Sequence, residues 1–209
     1  MKECLILFTR YPEPGKAKTR LIPVLGAEGA ANLHRQMTEN AIAQAKQLQS
    51  FHSLSLEVHF TGGNFPLMQE WLGNEMTYRQ QAEGNIGFRM ASAFQTAFSN
   101  NIDNVIIIGS DCPALNYEIL AQAFQALQQH DLVLGPATDG GYYLIGLRHF
   151  IPQLFTDISW STSEVFRQTV EIAGKLNLAA AYLTELSDVD RPEDLSILDF
   201  RFLISYLSI

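Results

Sequence analysis

Val105-Ile106-Ile107-Ile108-Gly109-Ser110-Asp111-Cys112-Pro113 decides how this chain folds. Four β-branched apolar residues without a break suit a strand buried on both faces, as in a parallel sheet held between layers of helices. The run ends at Gly109, and a carboxylate follows at Asp111. Open α/β sheets bind ligands just past the carboxyl ends of their strands. Asp111 is therefore expected to hold a metal ion or a phosphate-bearing ligand. Pro113 has no N–H for a ladder, so the chain leaves the sheet there. An Asp at a strand-to-helix turn also serves as a helix cap, and this stretch alone leaves both roles open.

Working outward, Cys4 to Thr9 reads as a first buried strand, followed by a loop from Arg10 to Leu21 with two prolines and a glycine. Four of the chain's 14 basic residues, Arg10, Lys16, Lys18 and Arg20, fall in this loop against one acid, Glu13. In a protein of net charge −8, that concentration after the first strand suits an anion, with Arg and Lys donors beside free backbone N–H groups. A solvated basic loop has the same composition. The loop is not a Walker A motif, because Arg10 and Ala17 stand where Gly and Ser or Thr are required.

Periodicity predicts helices over 27–49 and 66–72, one opening after Gly84, and others over 117–129 and 161–176. Strands are expected over 54–60, 76–80, 131–135 and 178–183. His34 lies beside the first helical stripe and reads as packing. Gly84-Asn85-Ile86-Gly87 opens a helix whose free N–H groups favour anions, and its small residues allow a base or sugar to approach; Arg89 reads as a surface charge or a ligand contact. Asp139-Gly140-Gly141-Tyr142 is a tight turn between two strands, and Asp139 is expected at the same sheet edge as Asp111. Two such carboxylates suit a divalent ion or a pair of sugar hydroxyls. Trp160 reads as core, with Ser161 or Thr162 capping the helix after it. Asp188 and Asp190 alternate before Pro192-Glu193-Asp194, and only one of the two is expected to face a given site.

The 209 residues are 47% apolar, which predicts a folded core and not disorder. The acidic balance argues against nucleic-acid binding, and no apolar run reaches the roughly 20 residues of a membrane span. The amino terminus lacks a leader's cleavage pattern. Cys4 and Cys112 form neither a disulfide framework nor a metal-ligand spacing, which suggests reduced thiols in a cytoplasm. Gly-x-Ser-x-Gly is absent and the five histidines are scattered, so a hydrolase triad or zinc site lacks support. Alternating strands and helices without a linker predict one α/β domain over 1–209, with a mainly parallel sheet.

In order, Thr9 to Leu21, Gly84 to Met90, Gly109 to Pro113, Asp139 to Tyr142, Trp160 to Thr162 and Asp188 to Leu195 resemble the glycosyltransferase-like family DUF2064. That family is described as radical-SAM/selenodomain-associated or arsenosugar-biosynthesis-type transferases. The chain is also similar to phospholactate guanylyltransferase and, more distantly, to molybdenum-cofactor nucleotidyltransferases. The resemblance implies a three-layer GT-A fold, that of the nucleotide-diphospho-sugar transferases. It implies donor phosphates held by Thr9, Arg10, Gly15, Lys16, Lys18, Arg20, Gly84 and Asn85. Substrate would meet Gly140, Gly141 and Tyr142. Mg2+ or Mn2+ would sit on Asp111, with Asp190, Asp188 or Asp139 as second ligand and Asp190 preferred. Asp111, Asp139 and Lys18 would be catalytic. The chain has Ser110-Asp111-Cys112 where many glycosyltransferases have Asp-x-Asp, and Asn85 where many relatives carry an acid. The expected activity is metal-dependent transfer from a nucleotide-diphospho-sugar to a small-molecule acceptor. Nucleotidyl transfer from an NTP, with pyrophosphate release, and non-catalytic nucleotide-sugar binding are the alternatives.

Overall fold

The computed structural model describes residues 1–198 and contains one seven-stranded sheet. The last eleven residues of the domain expected over 1–209 lie outside the described residues. The strands are β1 (Glu3–Arg10), β2 (Ser55–Thr61), β3 (Thr77–Gln80), β4 (Asn104–Ile108), β5 (Leu132–Pro136), β6 (Tyr142–Leu147) and β7 (Ala180–Tyr182). Their spatial order is β3-β2-β1-β4-β6-β5-β7. Only β6 runs against its neighbours, β4 and β5; every other pair is parallel. The helices are α1 (Ile22–Gln49), α2 (Phe65–Leu72), α3 (Ile86–Ser99), α4 (Tyr117–Leu127) and α5 (Val165–Lys175).

The unbroken apolar runs follow from burial on both sides. Leu5 and Leu7 of β1, with Ile106 and Ile108 of β4, pack against α1, α2 and α4. Cys4, Ile6 and Phe8, with Val105 and Ile107, pack against α3 and α5 on the other face. Each fully buried Ile or Leu contributes about 1.5–3 kcal/mol of burial free energy, so the ends of β1 and β4 are rigid mounts. The chain winds outward from β1 to β2 and β3, then returns to place β4 on the other side of β1. The loops after β1 and β4 therefore diverge at a topological switch point, where open sheets bind ligands.

The helix expected over 27–49 stands, whereas the start of the helix expected from 161 and the capping roles change. Helix α1 begins at Ile22, but Gly26 interrupts it at φ 71 and ψ 169, so the continuous helix is the segment from 27 onward. Helix α5 begins at Val165, not near Ser161. Ser161 has φ 65 and Thr162 Oγ1 accepts from Glu164 N at 3.3 Å. These residues form a turn ahead of the helix and cap nothing. Asp111 is no cap either: Asn116 caps α4, its side chain accepting from Ile119 N. The β5–β6 hairpin forms as expected, its turn held by Asp139 Oδ1 accepting from Gly141 N at 2.8 Å.

Candidate active site

Three segments meet where β1 and β4 end. The basic loop brings in Lys18, in the left-handed region at φ 47, and its side chain is only 5% exposed. Lys18 Nζ lies 2.8 Å from Asp111 Oδ1 and 3.8 Å from Asp190 Oδ1, and donates to the Val189 carbonyl at 2.6 Å. Arg20 Nη1 pairs with Asp190 Oδ2. Val189 N donates to the Asp111 carbonyl at 2.9 Å, and the Val189 side chain is buried beside Leu21, Leu33 and Met37. Asp194 accepts from the N–H groups of Asp190 and Arg191, which fixes the last segment. Burial pushes the Asp111 carboxyl up, but the charge and hydrogen bond of Lys18 outweigh it, and the group is held below the usual carboxylate range. Asp111 is thus an anion, and its side chain is 49% exposed.

That exposed part faces a cavity of about 870 Å³. Among the described residues, five carboxylates line it: Asp111, Asp139, Asp188, Asp190 and Asp194. Burial, then the charges of Asp139 and Asp194, push the Asp188 carboxyl above its ordinary range. Arg20 and Arg191 are the cationic lining residues among those described; Arg20 is committed to Asp190, whereas the Arg191 guanidinium forms no ion pair with a carboxylate among the described residues. Much of the remaining lining is apolar, with Phe8, Met90, Ile107, Tyr142, Ile145 and Trp160. Trp160 is half-buried and faces this cavity, so it is a wall of the site as well as part of the core. It reaches that position because Gly87 has no side chain: a Cβ there would lie 2.2 Å from the indole.

A search of protein-family models matches residues 43–162, more than half of the chain, to "Uncharacterized protein conserved in bacteria (DUF2064)". The chain belongs to this family. A protein of Desulfovibrio desulfuricans G20, provisionally named a nucleotide-diphospho-sugar transferase, is 36% identical with a TM-score of 0.87; the match covers 93% of this chain and 85% of that one. Two more distant structures share the fold. One is glucosyl-3-phosphoglycerate synthase from Mycobacterium tuberculosis, solved with Mn2+, UDP and phosphoglyceric acid. It is 13% identical, with a TM-score of 0.59 over 100% of this chain and 79% of that one. The other is 4-diphosphocytidyl-2C-methyl-D-erythritol synthase from Anaerococcus prevotii DSM 20548. It is 8% identical, with a TM-score of 0.61 over 100% and 99%. The GT-A-type three-layer architecture is therefore that of this DUF2064 protein. No match was found among curated proteins.

The residues singled out in the sequence divide into two groups. Asp111, Asp139, Asp190, Arg20, Gly141 and Tyr142 line the cavity, and Lys18 joins two of them. Gly140 packs behind the hairpin turn at φ 89, where a Cβ would lie 2.2 Å from the Ser163 carbonyl oxygen. The others lie outside this lining. Thr9 is buried and bonds His34 and Thr38. The Arg10 carbonyl accepts from His34. Lys16 pairs with Glu13 at 2.8 Å, and Gly15 sits exposed at φ 81. Asn85 caps α3 through Phe88 N, and Gly84 accepts from Arg89. Asp188 and Asp190 both line the cavity, against the expectation that only one would. Extended chain has a period of two, so residues 188 and 190 share a side and Val189 takes the other. Sequence reasoning missed Arg191 and the apolar lining.

Asp111 and Asp190 offer hard oxygen donors on either side of one ammonium group. Among the described residues, no group of three or more His, Cys, Asp or Glu forms a ready cation site. Two carboxylates without a full protein cage suit Mg2+ or Mn2+ bound jointly with substrate phosphates, since Mg2+ is usually held by one or two carboxylates plus those oxygens. The residues present fit that mode of binding. No helix among the described residues is long and apolar enough to cross a membrane.

Proposed function

We propose that this chain is a transferase, one domain over 1–209, that moves a glycosyl group from a nucleotide-diphospho-sugar to a small-molecule acceptor. One observation carries the reading: Asp111, Lys18 and Asp190 meet at the switch point of the sheet, and Asp111 is open to a large cavity. Asp111 and Asp190 would hold Mg2+ or Mn2+, which when bound supplies positive charge to the leaving phosphate oxygen. Lys18, now shared between two carboxylates, turns to the donor phosphates when they arrive. Arg20 and Arg191 add donors for the same charge, which is usually the largest source of rate when a phosphate leaves. Thr9, Arg10, Gly15, Lys16, Gly84 and Asn85, outside the cavity, are assigned to the nucleotide half of the donor. Gly140, Gly141 and Tyr142 shape the acceptor side. Asp139 takes the proton from the acceptor hydroxyl as its oxygen bonds to the sugar carbon and the nucleoside diphosphate departs.

The succession Lys16, Lys18 and Arg20 in one loop also suits a triphosphate. It supports a second reading, attack at the α-phosphorus of an NTP with pyrophosphate as product. Incubation with nucleotide sugars and NTPs, with Mn2+ present, separates the two. Nucleoside diphosphate formed from a nucleotide sugar is the expected result, and pyrophosphate from an NTP alone overturns it. If nucleotides bind but no donor is ever consumed, the protein is a nucleotide binder.

A further inference from the structure

We propose that the cavity beside Asp111 receives an uncharged, hydroxyl-bearing acceptor with an apolar body, its hydroxyl end directed to Asp139. The acceptor role rests on the proposed transfer; binding in the cavity does not.

The cavity floor is the sheet itself. Ile107 and Ile145 pair across β4 and β6, and Phe8 follows at the end of β1. Met90 and Ile86 descend from α3, and the Trp160 indole closes the side over Gly87. Ile86 is 37% exposed, at the first position of α3. Apolar surface gathered in a concave site, beside a few directed polar groups, is the usual make-up of a small-molecule pocket.

The polar groups decide the charge of the guest. Among the described residues, five carboxylates line the cavity against two guanidinium groups, one of which is paired to Asp190. An anionic guest adds repulsion to this set, whereas a neutral hydroxyl donates to a carboxylate without it. Thr162 Oγ1 donates to Ser159, so it is not free to donate to an anion. Arg191, whose guanidinium has no carboxylate partner among the described residues, is left for the donor phosphates.

Saturation-transfer NMR on the full chain tests this without donor or metal, using 2-phenylethanol as neutral probe and phenyl phosphate and 3-phosphoglycerate as anionic probes. The expected result is transfer to 2-phenylethanol only. Ile86→Asp, at an exposed position, should weaken that binding about tenfold, the loss of one apolar contact, with circular dichroism to verify folding. Trp160→Ala should do the same, with circular dichroism to verify folding. Phenyl phosphate binding as well as 2-phenylethanol overturns the proposal, as does 2-phenylethanol binding that Ile86→Asp leaves unchanged or no binding at all. A second arm adds nucleotide sugars and Mn2+. Donor consumed with water or an anionic acceptor, but never with a neutral alcohol, refutes this inference and leaves the transferase standing. Neutral alcohol bound in the cavity with no donor consumed refutes the transferase and leaves the cavity assignment.

Discussion

Two carboxylates sit at opposite ends of neighbouring strands, and they are handled differently. Glu3 opens β1 and is 8% exposed. Its Oε1 accepts from Asn104 Nδ2 at 2.9 Å and its Oε2 meets His52 Nε2, whose ring stacks on Phe124 at 5.4 Å. Its oxygens are turned inward to partners that are themselves packed. Asp111 follows β4 and is also tied to a nitrogen, that of Lys18, yet half of its side chain faces a cavity lined by four more acids. Residue type does not separate the two, nor does having a partner. Unused acceptor capacity facing a cavity does, and it is the ground on which Asp111, and not Glu3, is proposed as the functional carboxylate.

Exchanging the two outcomes would break this comparison. Asp111→Asn should lower turnover by about 100-fold or more, because several kcal/mol of charge stabilisation are at stake. It should also abolish any Mn2+-dependent rise in melting temperature with nucleotide. Glu3→Ala should do the reverse. It strands the buried Asn104 amide and removes the partner of the partly buried His52, at a cost of about 1–3 kcal/mol, and lowers the melting temperature by roughly 2–12 °C, while the nucleotide-dependent shift stays as in the unaltered protein. Differential scanning fluorimetry with and without ligand reads both.

Gly87→Ala sharpens the boundary between core and cavity. The new Cβ would collide with the Trp160 indole, so the ring must move, at about 1–3 kcal/mol of overpacking. A red shift in tryptophan emission together with weaker 2-phenylethanol binding is expected. An unchanged spectrum would mean that Trp160 does not depend on this seat.

The smallest effect concerns pH. Burial holds His34 below its ordinary value of 6.5, outweighing the pull of Asp111 and the hydrogen bond to the Arg10 carbonyl. The unfolded chain therefore binds a proton more readily than the folded one as pH falls below that value. Stability is present above it and declines as acid is added. His34→Gln should flatten this part of a pH series of urea melts, with no change in slope above neutrality.

How much of this was legible depends on range. The β4 run and the hairpin at Asp139 are local patterns, and each was read correctly because burial on both faces or a tight turn leaves its own signature. The start of α5 was misplaced because Ser161 and Thr162 are residues that cap helices as readily as they form turns. Asp188 and Asp190 were separated although a period of two places them together. Arg191 carries no local signal, and Trp160 looks like any core aromatic until Gly87 is found beneath it. Lys16 and Lys18 look equivalent in sequence, but one pairs with Glu13 in its own loop and the other reaches the far end of the chain.

The sequence by itself determined a two-faced sheet and a carboxylate at the mouth of its central strand, because hydrophobic period and chain breakers act over a few neighbouring residues. Tertiary structure decided which cation answers that carboxylate and which acids share its cavity. Those choices depend on contacts between segments up to 171 residues apart, and charge pairing acts through space, where the order of residues along the chain has no say.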